Sequence, residues 1–315
     1  DSSVDSAAAT EPCPDAPEPA LSLPADDAMH EEDVEWWYWT GHLQDDEENE
    51  YGFEHVVFVF QVGGVYEATS IHMALTDIGA QDHRFEVLYA HGELPEILTD
   101  SFVLEVEDAS AIGGNGSDVL VADFEDVSWN LAVENQGAVM LQHGDGYHDY
   151  ETGGYTYYYT RPRMQVSGSL SVDGETREVT GEAWFDHQYG ELTQVSSDGW
   201  DWFALQLDDG REIMIFLNST GSLLHGGSIR DGDCVTEIDP SSLTVQESNE
   251  WISEETGCSY PQKWEIQIGE ENFVIESLLD DQELPNSYNT YWEGAATVQG
   301  DQTGKAYVEL AGQCD

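Results

Sequence analysis

The sequence predicts an all-β protein built from two barrels or curled sheets behind a short leader. Three observations carry this reading. Helical periodicity is almost absent, whereas short segments with a period of two recur between turn signals at a spacing of about 8–12 residues. The chain has 315 residues, 40% of them hydrophobic and 11% aromatic, with 10 Trp and 15 Tyr. That is enough apolar surface for large cores despite a formal net charge of -57, so the charge does not imply disorder.

The strands are expected, in order, at 34–43, 51–61, 66–77, 84–93, 101–107, 127–134, 155–160, 164–173 and 176–187. They continue at 200–208, 211–218, 263–269, 272–278, 290–299 and 305–312. Asp173-Gly174 and Asp209-Gly210 read as two-residue hairpin turns, because Gly tolerates positive φ. The acidic run Asp45-Asp46-Glu47-Glu48 reads as a hairpin tip. Segment 164–172 alternates Met, Val, Gly, Leu and Val with Gln and Ser, as a half-buried strand does. Segment 200–207 is apolar on both faces and predicts a strand covered on both sides. Segments 101–115 and 231–260 have the poorest pattern. Residues 1–29 lack periodicity and read as a flexible leader left by a removed signal peptide. The first barrel then spans 30–190 and the second 191–315, each with enough strands to close around one small apolar ligand.

Charge narrows the function. With 65 acidic and 8 basic residues, the chain offers no basic face for nucleic acid or for anionic lipid. A solvated carboxylate coat suits molar salt, which cuts the Debye length to roughly 3 Å and silences the self-repulsion. Calcium binding is the sharper alternative, but Asp145 to Glu151 lacks the ligand spacing of a calcium loop. No apolar run is long enough for a membrane helix. The four cysteines form no Cys-x-x-Cys, and their wide spacing suits an exported protein with disulfides. Of three possible pairings, Cys234–Cys258 with Cys13–Cys314 is favoured. Sequons at Asn115 and Asn218 are compatible with export.

Chemistry is sought in polar groups embedded in aromatic strands. Trp184-Phe185-Asp186-His187 sets a carboxylate and an imidazole on opposite faces of one strand. Asp186 shares its face with Trp184. Beside that indole it would lose hydration, hold a raised pKa and act as a proton donor. The alternative is an ionised Asp186 paired to an arginine. Scarce cations in an acidic coat are retained for a purpose, and Arg161, directly after Tyr155-Thr156-Tyr157-Tyr158-Tyr159, stands out. It either meets a ligand or ties a loop to an acidic neighbour, and it shares strand parity with Tyr157 and Tyr159. Catalytic candidates are therefore Asp186, Tyr157 and Arg161. Ligand-binding candidates are Tyr159, Trp184, Trp37, Trp200, Trp202 and His187. His55 and His72 read as core histidines. No His-x-His, His-Glu-x-x-His, Gly-x-Ser-x-Gly, phosphate loop or dinucleotide fingerprint occurs, so no cofactor or metal is expected, and any metal site would be assembled from distant strands.

Taken together, Glu35-Trp36-Trp37-Tyr38, Tyr51-Gly52-Phe53, Tyr157 to Arg161, Gly181 to Gly190, Gly199 to Phe203, Gln206 to Glu212, Tyr291 to Gly294 and Tyr307-Val308-Glu309 resemble the secreted lipocalin-like AttH and carotenoid hydratase (hydroxyneurosporene synthase-like) family. The match runs over about residues 30–312. It implies two lipocalin-like domains with an apolar pocket, in a family often labelled as secreted hydrolases. Characterised relatives protonate a carotenoid double bond to hydrate it, and fungal relatives shape polyketides for cycloaddition. The resemblance makes Asp186 the proton donor, with helpers at the positions of Tyr157, Tyr159 and Trp184. The expected partner is an apolar, isoprenoid- or lipid-like molecule, either transformed or merely carried. A purely structural, surface-assembly role is the remaining alternative.

Overall fold

Antiparallel pairing organises nearly every element of the computed structural model, which describes residues 17–92, 94–150, 153–192, 199–218, 225–286 and 290–314. The first sheet runs Asp82–Ala90, Val65–Asp77, Glu50–Val62, Val34–Asp45, Glu175–Glu191, Tyr155–Val172, Val127–Asn135, Ser117–Phe124, Ala109–Gly114, Phe102–Val106. Short strands Met140–Leu141 and Tyr147–Asp149 add to Tyr155–Val172. Its two edges meet, so the sheet is a nearly closed barrel. The second sheet is a curled half-barrel ordered Cys234–Glu237, His225–Asp231, Glu212–Asn218, Trp200–Leu207, Gly304–Ala311, Tyr291–Gly300, Glu271–Ser277, Lys263–Ile268, Leu243–Ser248. Among the described residues no helix is long and apolar enough to cross a membrane.

The packing follows from strands that are apolar on both faces. Trp37, Trp39, Phe53, Phe185 and Tyr159 fill the barrel interior. Phe203, Trp264, Trp292 and Ile275 fill the hollow of the half-barrel. Tyr38, Tyr158, Trp184, Trp202, Met214 and Tyr307 form a third layer where the sheets face each other. Each of these large side chains contributes roughly 1.5–3 kcal/mol by leaving water. The both-sides-covered reading of 200–207 is what this layer requires, since Trp202 and Ala204 meet the barrel while Phe203 and Leu205 line the half-barrel.

Several expectations need correction. The segments expected at 155–160 and 164–173 are one strand, Tyr155–Val172, with a register shift between Arg161 and Met164 at Pro162. A bulge is where a proline without an N–H can sit inside a sheet. Asp173-Gly174 is a two-residue turn with both φ positive, at 53° and 82°. Asp209-Gly210 is not: residues 208–211 connect Trp200–Leu207 to Glu212–Asn218, and only Gly210 has positive φ. Ser117–Phe124 was not expected as a strand; its start inverts the usual polarity, with Asp118 inward and Val119 outward, before Leu120, Ala122 and Phe124 turn inward. The described part of the leader is packed, not loose. Leu21 and Met29 join the barrel core, and Asp27 is fully buried.

The favoured disulfides are also overturned, because Cys258 bonds Cys314. The chain end leaves the central strand Gly304–Ala311 and returns to the small ribbon Trp251–Ile252/Ser259–Tyr260, so the partner lies near in space and 56 residues away in sequence. Cys234 is disulfide-bonded as well, whereas Cys13 lies outside the described residues. Of the sequons, Asn115 is exposed and Asn218 is buried in its strand.

Candidate functional site

Register decides which aromatic residues meet Asp186. Across the central pair of strands Thr160 stands opposite Asp186 and Tyr159 opposite His187. Side chains directly opposite share a face. Tyr158, Thr160, Trp184 and Asp186 therefore point toward the second sheet, and Tyr157, Tyr159, Arg161, His187 and Trp37 point toward the barrel interior. The candidates thus divide between two sites. Asp186, Trp184 and Trp202 come together. Trp200 lies half-buried one step along, its indole donating to the half-buried Glu309. Tyr157, Tyr159, Arg161, His187 and Trp37 are on the far side of the sheet from Asp186.

Asp186 is 3% exposed and has three neutral donors. Tyr158 Oη donates to Oδ2 at 2.5 Å, Thr160 Oγ1 to Oδ1 at 2.5 Å, and Trp184 Nε1 to Oδ1 at 2.9 Å. Burial raises its pKa to about 6, and the three hydrogen bonds hold it from rising further. Tyr158 also accepts from Trp202 Nε1 at 3.3 Å. Burial and the neighbouring carboxylate push the Tyr158 phenol well above its usual range. A wire enters from the second sheet: Ser228 Oγ donates to Gln142 Oε1 at 2.7 Å, Gln142 Nε2 to Thr160 Oγ1 at 2.8 Å, and Thr160 to Asp186. Donors aligned head to tail polarise one another.

Tyr158 forms part of the wall of a cavity of about 260 Å³ between the sheets. Gln142 and Gln188 line it from the barrel, and Met214, Phe216 and Ser228 from the half-barrel. Gly226 creates room there, because a Cβ added to it would meet nothing within 4 Å. The lining mixes apolar and polar side chains, whereas the family resemblance implied an apolar pocket.

Beside this site lie the buried Glu54 and Glu293 and the half-buried Glu309, whose hydrogen-bond partners are tyrosines and a tryptophan. Tyr291 donates to Glu54 at 2.7 Å and Tyr38 to Glu293 at 2.5 Å, while Glu54 Oε2 and Glu293 Oε2 have no partner among the described residues. Burial raises all three, Glu309 to about 7, and mutual repulsion adds to the shift of Glu54 and Glu293. A carboxyl that keeps its proton satisfies an orphan oxygen at no charge cost.

Arg161 is tied to Asp27, whose two oxygens lie 2.7 and 3.0 Å from Nη2. This is the loop-tying alternative, with Asp27 supplied by the segment before the first strand. Retained cations hold buried acids elsewhere too. Glu212, fully buried, sits between Arg163 at 2.6 Å and Arg230 at 2.7 Å, and Arg163 also reaches Glu182 at 2.7 Å. This clamp spans the two sheets.

A model of the AttH-like family matches residues 14–313. The chain belongs to the AttH-like family. Its fold is similar to that of a protein provisionally assigned as AttH from Nitrosomonas europaea, with a TM-score of 0.84, 26% identity and coverage of 94% of this chain and 98% of that one. It is also similar to kievitone hydratase from Nectria haematococca, with a TM-score of 0.75, 16% identity and coverage of 95% and 98%. No curated protein matches the sequence. Sequence reasoning missed Tyr158, Thr160, Gln142 and Ser228. Counting back from the Asp173-Gly174 turn places Arg161 opposite Asp186, and only the bulge at Pro162 moves Thr160 there, so the sequence pointed to the other face.

Proposed function

We propose that this AttH-like protein binds a largely apolar, isoprenoid- or lipid-like molecule between its sheets and transforms it by proton transfer from Asp186. The observation that supports the reading most is a buried carboxyl with a pKa of about 6, partnered by neutral donors only, one hydroxyl away from a cavity. When Asp186 is ionised, Tyr158 points its proton at it. When Asp186 is protonated, that hydrogen bond reverses and the Tyr158 proton turns toward the cavity.

The step then balances. A ligand C=C takes the Tyr158 proton, and its π pair forms the new C–H bond as Asp186 re-supplies Tyr158. Phe216 lends its π face to the cation left on the adjacent carbon. Water adds there, forming the C–O bond, and its surplus proton returns through Tyr158 to Asp186. The sum is addition of water, the reaction class carried in the name of kievitone hydratase. The reading includes export into brine, supported by the Cys258–Cys314 disulfide and by the net charge of -57.

A carrier is the second reading, favoured by the fact that Tyr158, and not Asp186 itself, forms the cavity wall. The test is extraction of the co-purified ligand and its incubation with wild-type protein and with Asp186→Asn. Gain of one water with wild type only supports the hydratase. Unchanged ligand in both supports the carrier.

A further inference from the structure

On the barrel side of the same strand the structure brings two imidazoles and a carboxylate to one point. Glu35 Oε1 lies 2.8 Å from His30 Nδ1 and 2.7 Å from His187 Nε2. Glu35 Oε2 accepts the His30 backbone N–H at 2.7 Å. The donor atoms of all three residues lie within 4.8 Å of one another. They come from the segment before the first strand, from Val34–Asp45 and from Glu175–Glu191, so no sequence motif announces them.

Hydrogen-bond counting shows what this cluster lacks. Tyr159 has one hydroxyl proton and gives it to Asp27. Arg161 Nη2 also donates to both Asp27 oxygens, so Asp27 is the acceptor there. His187 Nδ1, 3.1 Å from that hydroxyl, must therefore be the donor toward Tyr159. In the neutral ring this leaves His187 Nε2 with a lone pair aimed at a carboxylate oxygen. His30 is placed alike, with Nδ1 on Glu35 and Nε2 3.3 Å from Asp26. Against the opposing effect of burial, Glu35 and Asp26 raise the pKa of His30, so a proton or a metal cation can bridge the two rings and the carboxylate. A neighbour holding one ring nitrogen of a histidine so that the other is free and aimed is how metal-binding histidines are fixed. His187 is locked further by stacking on Trp37 at 4.5 Å, and His30 on Tyr189 at 3.6 Å.

We propose that His30, Glu35 and His187 form a binding site for a divalent transition-metal ion of the zinc class, with Tyr159 as the positioning residue for His187. Two imidazole nitrogens with one carboxylate suit zinc or cobalt and disfavour calcium and magnesium, which take oxygen. Ligation at about 2.0–2.1 Å needs donors about 3.4 Å apart, so the two Glu35 hydrogen bonds open by little more than half an ångström. His187 and Glu35 are fully buried, whereas the His30 side chain keeps 22% of its surface exposed and is the point of entry. A fourth position remains for water. The site is separate from Asp186 and does not depend on the reaction proposed for it.

The probe is Co²⁺, titrated into the full chain in molar KCl with excess Mg²⁺ to occupy the acidic coat. The expected result is one equivalent bound with visible ligand-field bands, displaced by one equivalent of Zn²⁺. His30→Ala, a change at the rim, is expected to weaken binding at least tenfold. A colourless titration, or a spectrum that His30→Ala leaves unchanged, would overturn the site. Should His30→Ala fail to fold, zinc-edge X-ray absorption of the wild-type complex decides. Two imidazole scatterers support the assignment, and an oxygen-only shell refutes it.

Discussion

At the scale of single residues, the account turns on how one strand presents different chemistry to each side. Asp186 is held neutral-friendly by Tyr158, Thr160 and Trp184, while one residue on, His187 faces an acid network in the barrel. Asp186→Asn keeps the shape and removes the transferable proton, so turnover should vanish while ligand retention, read by mass spectrometry, stays within a few-fold. Tyr158→Phe should cost about 10²–10⁴ in rate, the range of a lost proton-transfer partner, with the fold intact. A rate within threefold of wild type would remove Tyr158 from the path. The burial of Asp186 beside Trp184 was legible in the sequence, because the two share one face of an aromatic strand. Its hydroxyl partners were not. An extra residue at a bulge changes which face every residue beyond it occupies, and one sequence alone does not show the bulge.

Elements explain how the site is held open. Tyr155–Val172 and Glu175–Glu191 are long and central, and where both faces are covered, over 156–164 and 183–190, they bring barrel and cavity to within one side chain of each other. Across the gap, Gly226 stands opposite Phe216 and leaves space where any other residue would project. Gly226→Val is compatible with a strand and should fill the cavity. The expected outcome is loss of co-purified ligand with little change in melting temperature. Retention of ligand at wild-type stoichiometry would place the binding site elsewhere. The clamp is a second test. Arg163→Ala leaves buried Glu212 on Arg230 alone, and should lower stability by about 1–3 kcal/mol. Adding Glu212→Gln should recover part of that loss. Strand existence was legible from alternation for most of the barrel. It failed at Ser117–Phe124, where inward Asp118 is satisfied by Trp39 Nε1 at 3.2 Å and the Gly114 N–H at 3.1 Å, contacts visible only after folding.

For the whole molecule, charge and burial set the conditions under which the fold is stable. A net charge of -57 repels itself, so the melting temperature should rise steeply from millimolar to molar KCl, and equal values at both would contradict salt adaptation. The pH dependence in molar salt has a definite sign. Between about pH 4 and 7.5 two sets oppose each other. Buried His42, His55 and His72 and half-buried His83, lowered by desolvation to about 3–4, bind fewer protons folded than unfolded and raise stability as pH rises. Buried carboxyls such as Asp186 do the reverse, because folding raises their pKa. Above about pH 7.5 the unfolded histidines have lost most of their protons, and only the highest carboxyls still act, Glu54 and Glu293 among them. Stability should therefore fall from about pH 7.5 to 8.5, and Glu293→Gln should flatten the slope. A flat or rising wild-type profile would contradict protonated glutamates between the sheets. The central claim is that small-molecule chemistry belongs to the cavity between the sheets and not to the barrel interior. An experimental electron-density map of the protein with its extracted ligand restored tests it most directly. Density against Tyr158, Met214 and Phe216, within reach of the Asp186 relay, is the predicted result. Density inside the barrel beside Arg161 and Tyr159, with the inter-sheet cavity holding only water, would contradict it.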